Sequence, residues 1–188
     1  MNKNEERSFT ARVSCNGDTI TFLQEVLRSN FLEDAAVPKN ILTVQRDYSP
    51  KITKAYNPIT KRMENLGFSF GNIDPLVVHF WCYDDYYNMQ VLSTPYSYMY
   101  VSKNDEGCLG AFPAAGGDTT SFNLLDADHN IITLDDLSTD TPTVYLKARN
   151  ARIIRKSIHE HPERHSFFHD RVGDIVKFNL TILKRHAF

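Results

Sequence analysis

The chain has 188 residues, of which 41% are hydrophobic and 12% aromatic, a composition typical of one folded domain rather than a disordered chain. Its 21 basic and 23 acidic residues leave a formal net charge of −2, so no overall field favours nucleic acid or an anionic membrane as a partner. The polar start MNKNEERSF and the lack of a long apolar stretch argue against a secretory signal and a membrane span, so we expect a cytoplasmic protein or one released without a signal peptide.

The first predicted element is a strand that turns back on itself. Residues 8–15 alternate between apolar and polar side chains, which is the period of a half-buried strand. Asn16-Gly17 follows, and this dipeptide tolerates the positive φ angles of a tight hairpin turn. Thr19–Leu23 is the predicted return strand. A competing interpretation is a short helix near residues 20–32, because Ile20, Leu23, Leu27 and Phe31 have near-helical spacing.

The three cysteines are predicted to be reduced core residues. Cys15, Cys82 and Cys108 are an odd number, have no CxxC spacing, and each lies in an apolar-alternating segment. Thiols in such positions act as small hydrophobic side chains.

A strand–turn–strand pattern then recurs along the chain. FWCYDDYYNMQVL (80–92) aligns with FNLLDADHNIITL (122–134), and FNLTIL begins a third copy at Phe178. The interval between the second and third copies is longer than that between the first and second. Three units of this size are too short to be separate domains, and a closed architecture would remove their exposed strand edges.

This pattern resembles the β-trefoil superfamily over roughly residues 38–188. The matching residues are Tyr98-Met99, Cys108-Leu109-Gly110, Phe122-Asn123-Leu124, Ile131–Leu134, Tyr145-Leu146, Ile153-Ile154 and Phe178–Leu183. The resemblance implies an all-β fold, a single domain spanning 1–188 with approximate units 1–92, 93–134 and 135–188. Each unit would contribute strands to one short barrel capped by hairpins, with the N-terminal short helix as an addition.

Members of that superfamily are mostly binding modules: lectins, cytoskeletal binders, protease inhibitors, receptor ligands and toxin targeting domains. The ricin-type lectins carry a Q-x-W motif. Here the single tryptophan, Trp81, is preceded two positions earlier by His79, so no ricin-type galactose site is expected.

The aromatic run around residue 81 is the candidate ligand surface. Alternation predicts that Phe80, Cys82, Met89, Val91, Tyr98 and Leu109 face the core. Trp81, Tyr83 and Tyr86 then remain exposed, and such rings offer flat apolar faces with a polar handle for a glycan or a protein surface.

SIHEHPERHSFFHD (157–170) holds four of the seven histidines. On a helix, His161, His165 and His169 would line one face, as metal-binding imidazoles do, and clustered imidazoles can also respond to pH. The sequence is not HExxH. Because the stretch falls in the longer third interval, we favour a polar surface loop facing solvent, pinned by Phe167-Phe168.

Catalysis has less support. No G-x-S-x-G elbow is present, and the carboxylate pairs Asp84-Asp85 and Asp135-Asp136 lie where turns are predicted. We therefore expect a non-enzymatic recognition protein with no catalytic residues and no cofactor, binding a glycan or protein and not nucleic acid. The alternatives are a leaderless, cytokine-like signalling ligand and, last, a metal-dependent enzyme that uses the histidine-rich stretch.

Overall fold

The computed structural model describes residues 2–29, 38–49, 54–65, 72–113, 120–160 and 164–187. Within these ranges the fold is all-β with two short α-helices. In chain order the elements are α1 (Lys3–Arg7), β1 (Phe9–Cys15), β2 (Asp18–Phe22), α2 (Leu23–Ser29), β3 (Leu42–Val44), a 3-10 helix (Gln45–Asp47), β4 (Lys54–Asn57), β5 (Arg62–Asn65), β6 (Val77–Tyr83), β7 (Tyr86–Val91), β8 (Tyr100–Lys103), β9 (Leu109–Phe112), β10 (Phe122–Leu125), β11 (Ile131–Ile132), a 3-10 helix (Leu134–Asp136), β12 (Thr143–Ala148), β13 (Arg155–His159), β14 (His165–His169), β15 (Asp174–Ile175) and β16 (Phe178–Arg185). None of the described helices is long and apolar enough to cross a membrane.

Six of these strands form a closed antiparallel barrel, and we call them the wall strands. β1, β6, β7, β10, β12 and β16 pair in chain order, and β16 pairs back with β1. The closing pair is extensive, since it runs from Phe9↔Arg185 to Cys15↔Phe178. A closed barrel leaves no wall strand with an open edge. The predicted all-β, single-barrel fold is confirmed at this level.

The barrel interior is filled by the alternate residues of the wall strands. Phe9 and Phe80 stack at 4.5 Å between ring centroids, and Tyr87 meets both rings edge-on at 5.6 and 5.9 Å. The buried Tyr87 hydroxyl accepts a hydrogen bond from the Leu134 N–H at 3.0 Å. A buried hydroxyl needs such a partner, so this bond ties the 3-10 helix to the core.

Three pairs of strands cap one end of the barrel. β2–β3 lies between β1 and β6 in the chain, β8–β9 between β7 and β10, and β13–β14 between β12 and β16. They meet through the bridges Ile41↔Gly110 and Cys108↔His169 and through a hydrogen bond from the Val44 N–H to the Ser166 hydroxyl (2.9 Å). A Cβ at Gly110 would lie 2.6 Å from the Asn40 carbonyl oxygen, so the close approach there requires glycine.

The early part of the chain agrees with both interpretations of its sequence. Asn16 and Gly17 have φ angles of 51° and 81°, as the predicted hairpin turn requires. The predicted return strand is present as β2, and α2 begins directly after it at Leu23. The helical spacing therefore describes the segment after the strand; Phe31 lies outside the described residues.

Most of the core predictions are confirmed. The three cysteines are free and buried, and burial raises the pKa of the Cys15 thiol to about 11. Five of the six predicted core residues are buried: Phe80, Cys82, Met89, Val91 and Leu109. Tyr98 is the exception and is 78% exposed, because it has a φ of 71° in the turn before β8 rather than a place in a strand.

Candidate functional site

The candidate site lies on the outer wall of the barrel, where β6 and β7 present three aromatic side chains on the same face. Because Phe80 and Cys82 point into the core, Trp81 and Tyr83 point outward from the same strand. Tyr83 pairs directly with Tyr86 of β7, and the two rings stack at 5.7 Å. Tyr83 is 44% exposed, and Trp81 and Tyr86 are partly exposed. We call Trp81, Tyr83 and Tyr86 the aromatic strip.

Two side-chain amides of β7 lie beside Trp81. The Trp81 indole N–H donates to the Gln90 Oε1 at 3.2 Å. Since an indole N–H can only donate, the amide oxygen of Gln90 must face it, and the amide NH2 is turned away. The neighbouring Asn88 sits directly opposite Trp81, and its Oδ1 accepts from the Ser121 hydroxyl at 2.7 Å. No described residue accepts a hydrogen bond from either NH2 group, so within the described structure both remain available to a ligand.

A cation covers one end of the aromatic strip. The Arg149 side chain, just past β12, reaches across β10 so that its guanidinium carbon lies 3.8 Å from the centroid of the Tyr86 ring. The Arg149 backbone N–H donates to the Ser121 carbonyl oxygen at 2.8 Å, which fixes the base of the side chain. At this distance the ring attracts the cation electrostatically, which favours keeping the guanidinium over Tyr86.

The buried His79 lies two positions before Trp81, on the same face of β6, and packs against the Trp81 ring. The His79 and Trp81 rings lie 4.1 Å apart, and His79 is only 8% exposed. Its Nδ1 faces the Thr10 hydroxyl at 3.4 Å, whereas its Nε2 is buried without a hydrogen-bond partner among the described residues. Burial, and secondarily the nearby Lys184 ammonium, lowers the pKa of His79. The imidazole is therefore neutral at pH 7 and acts as an apolar support.

The structure thus brings together the three aromatic residues expected from the sequence, and their role in ligand binding stays a prediction. The sequence interpretation missed the polar side of the surface. Gln90 and Asn88 could have been found, since both alternate with the predicted core residues Met89 and Val91. Arg149 could not, because its contact with Tyr86 crosses from one strand to another through β10.

The histidine-rich stretch, residues 157–170, does not have the loop structure predicted for it. It is not a solvent-facing loop: Ser157 and His159 belong to β13, His165–His169 is β14, and the two strands pair. His165 and His169 are 4% and 6% exposed. The loop prediction is wrong for β14, which is a cap strand covered by the neighbouring cap strands, whereas Ile158 and His159 at the end of β13 are exposed as expected.

The helical arrangement of metal ligands is also wrong. Four residues along a strand span about 13 Å, so His165 and His169 cannot bind one ion together, and Phe167 lies between them. His161 falls outside the described residues. Among the residues that the structure describes, no group of three or more His, Cys, Asp or Glu side chains could hold a metal ion.

His169 instead belongs to a buried polar cluster between the second and third cap hairpins. Its Nδ1 accepts the backbone N–H groups of Arg171 and Val172 at 2.8 and 3.3 Å, which holds the turn after β14. The adjacent Asp170 side chain is 5% exposed and its Oδ2 pairs with the Lys103 ammonium at 2.6 Å. These contacts join two hairpins, so we assign the cluster a structural role.

No family model, curated protein or solved structure matches this chain. The functional argument therefore depends on the geometry of the barrel wall.

Proposed function

We propose that this protein is a β-trefoil recognition module that binds a glycan through the aromatic strip. The proposed fold is supported by the six-stranded barrel with wall strands in chain order. Three strand pairs interrupt the wall and meet at one end of it, which is the pattern that the sequence resemblance implies. A fold of this kind leaves function to the surface it presents, so the glycan proposal needs its own evidence.

The observation that carries the glycan proposal is the outward-facing set Trp81, Tyr83 and Tyr86, in which the two tyrosine rings stack on each other and Trp81 packs on His79. Partly exposed aromatic rings on one face of a sheet offer a platform for the apolar C–H face of a sugar ring. The NH2 groups of Asn88 and Gln90 border this platform and can donate hydrogen bonds to sugar oxygens. An apolar face edged by oriented donors matches the two-sided chemistry of a saccharide.

The platform is also held rigid. Trp81 is fixed by its hydrogen bond to Gln90 and by the His79 ring behind it, and Tyr86 is held between Tyr83 and Arg149. A ligand that binds such a surface does not have to order these side chains first, and this lowers the entropic cost of binding.

A glycan array with the purified protein tests the proposal, followed by calorimetry with the best ligand. We expect Trp81→Ala to weaken binding at least about fivefold, since a lost aromatic contact is worth roughly 1–3 kcal/mol. The matched control is Tyr98→Ala, which removes a tyrosine that is 78% exposed but lies outside the strip, and we expect it to bind normally.

The circular dichroism spectrum and melting temperature of both variants must match the parent for this comparison to count. Equal loss of binding in Trp81→Ala and Tyr98→Ala would refute the strip as the site. A blank array with a folded parent protein would refute glycan binding, and a protein ligand would then be sought by pull-down.

A further inference from the structure

The outer wall of the barrel carries an unusual distribution of charge. All six wall strands are fully described, and none contains an aspartate or a glutamate, although the chain has 23 acidic residues. The same strands present Arg12, Lys147 and Lys184 with exposed or partly exposed side chains. The wall is therefore basic in a protein whose formal net charge is −2.

Arg149 adds a cation whose hydrogen-bonding groups are still available. Its guanidinium carbon lies over the Tyr86 ring, and no described residue accepts a hydrogen bond from it or forms an ion pair with it. The N–H groups of a guanidinium form a planar fork that suits a bidentate carboxylate. Arg149 is thus ready to bind an anion at one end of the aromatic strip.

The side-chain amides of Gln90 and Asn88, beside Trp81, also present hydrogen-bond donors, as Arg149 does. The oxygen of Gln90 is occupied by the indole N–H, and the oxygen of Asn88 is occupied by the Ser121 hydroxyl. Both therefore offer donors outward, so the strip is bordered by hydrogen-bond donors on β7 as well as at Arg149. Such a border favours a ligand rich in acceptors.

Two acidic residues lie at the turn between β6 and β7, next to Tyr83 and Tyr86. Asp84 and Asp85 are exposed, and neither forms an ion pair with Arg149 in the described structure. The Asp84 carbonyl oxygen accepts from Arg7, and the Asp85 carbonyl oxygen accepts from Asn123 at 2.8 Å. The negative charge of these two carboxylates limits how far an anionic ligand extends past Tyr83.

We propose that the ligand of the aromatic strip is an acidic glycan containing uronic acid residues. This inference rests on the proposed glycan-binding function. A sugar ring stacks on Trp81, its oxygens accept from Asn88 and Gln90, and a uronic carboxylate pairs with the guanidinium of Arg149.

The test compares uronic-acid oligosaccharides of several linkages with the same oligosaccharides after their carboxyl groups are reduced to hydroxymethyl groups. Trp81 is the single tryptophan of the chain, so its fluorescence reports binding directly. We expect reduction to weaken binding about tenfold or more, the effect of losing one charge-assisted pair, and raised salt to weaken binding of the acidic form.

Arg149→Gln should bring the affinities for the acidic and the reduced oligosaccharide close to each other, because the variant loses the carboxylate partner while any loosening of Tyr86 affects both forms alike. Arg152→Gln is the matched control, since Arg152 is an exposed arginine in the same turn and should bind within about twofold of the parent. Equal binding of acidic and reduced forms overturns the inference while glycan binding stands. If neither form binds and the array with neutral glycans is also blank, the proposed function itself is overturned.

Discussion

Replacing Lys103 with methionine removes the charge that neutralises Asp170 but keeps most of the lysine stem. Loss of one partner of a buried ion pair costs about 3–5 kcal/mol, because the other charge stays buried. Here the Asp170 side chain is 5% exposed, but Lys103 is 23% exposed and Arg171 Nε lies 3.6 Å from the second carboxylate oxygen. Both facts reduce the penalty, so we expect the free energy of unfolding to fall by about 2–3 kcal/mol.

Urea unfolding, followed by Trp81 fluorescence and far-ultraviolet circular dichroism, measures this loss. The double variant Lys103→Met/Asp170→Asn no longer buries an unpaired charge, so it should be more stable than Lys103→Met alone by about 1 kcal/mol. Arg46→Met is the surface control. Arg46 pairs with Asp18 at 3.2 Å but its side chain is 79% exposed, and its loss should cost less than about 1 kcal/mol.

The reasoning is refuted if Lys103→Met unfolds within about 0.5 kcal/mol of the parent, the range of an ordinary surface substitution. That result would mean that Arg171 alone, or water, stabilises Asp170. A double variant less stable than Lys103→Met would likewise show that the charge of Asp170 is not the source of the penalty.

Two further predictions concern the wall and the turns. Because burial lowers the pKa of His79 below its ordinary value of 6.5, the unfolded chain takes up this proton at a higher pH than the folded chain, so stability falls as the pH drops through about 6.5 toward the lower pKa of the folded state. Urea unfolding across this range should therefore show a shallower pH dependence for His79→Gln than for the parent, and parallel curves would contradict this. Gly173→Ala should destabilise far more than Gly17→Ala: both glycines have positive φ, but a Cβ at Gly17 meets nothing within 4 Å, whereas one at Gly173 lies 2.2 Å from the Lys156 carbonyl oxygen. We expect about 1 kcal/mol for Gly17→Ala, and equal melting temperatures of the two variants would show that the crowding at Gly173 is relieved.

The features that sequence reasoning predicted well are local ones. Strand alternation places Phe80 and Met89 in the core, and Asn16-Gly17 supplies its own turn geometry. The recurring phenylalanine was also informative, since Phe80, Phe122 and Phe178 lie buried on three wall strands. Each of these features is determined locally, either by the periodicity of apolar side chains along the strand or by the φ angle of one residue.

The features that it missed depend on contacts between distant parts of the chain. His169 and Asp170 are buried because Lys103 and Cys108 of another hairpin lie against them, and no pattern within residues 157–170 encodes this. Tyr98 fits an alternating pattern yet is exposed, because the chain turns there. The same limit applies to the candidate site: the aromatic strip follows from alternation on two strands, but the cation on Tyr86 does not.

The strand pair that closes the barrel sets the order in which this protein can fold during translation. β1 must wait for β16, more than one hundred and sixty residues later, before its outer edge is paired. Until then β1 and β12 both present unpaired backbone groups, which are templates for association with other chains. Contacts this distant in sequence also make folding slow. The newly made chain is therefore open to aggregation until β16 has emerged from the ribosome and paired with β1 and β12, and a chaperone would protect it up to that point.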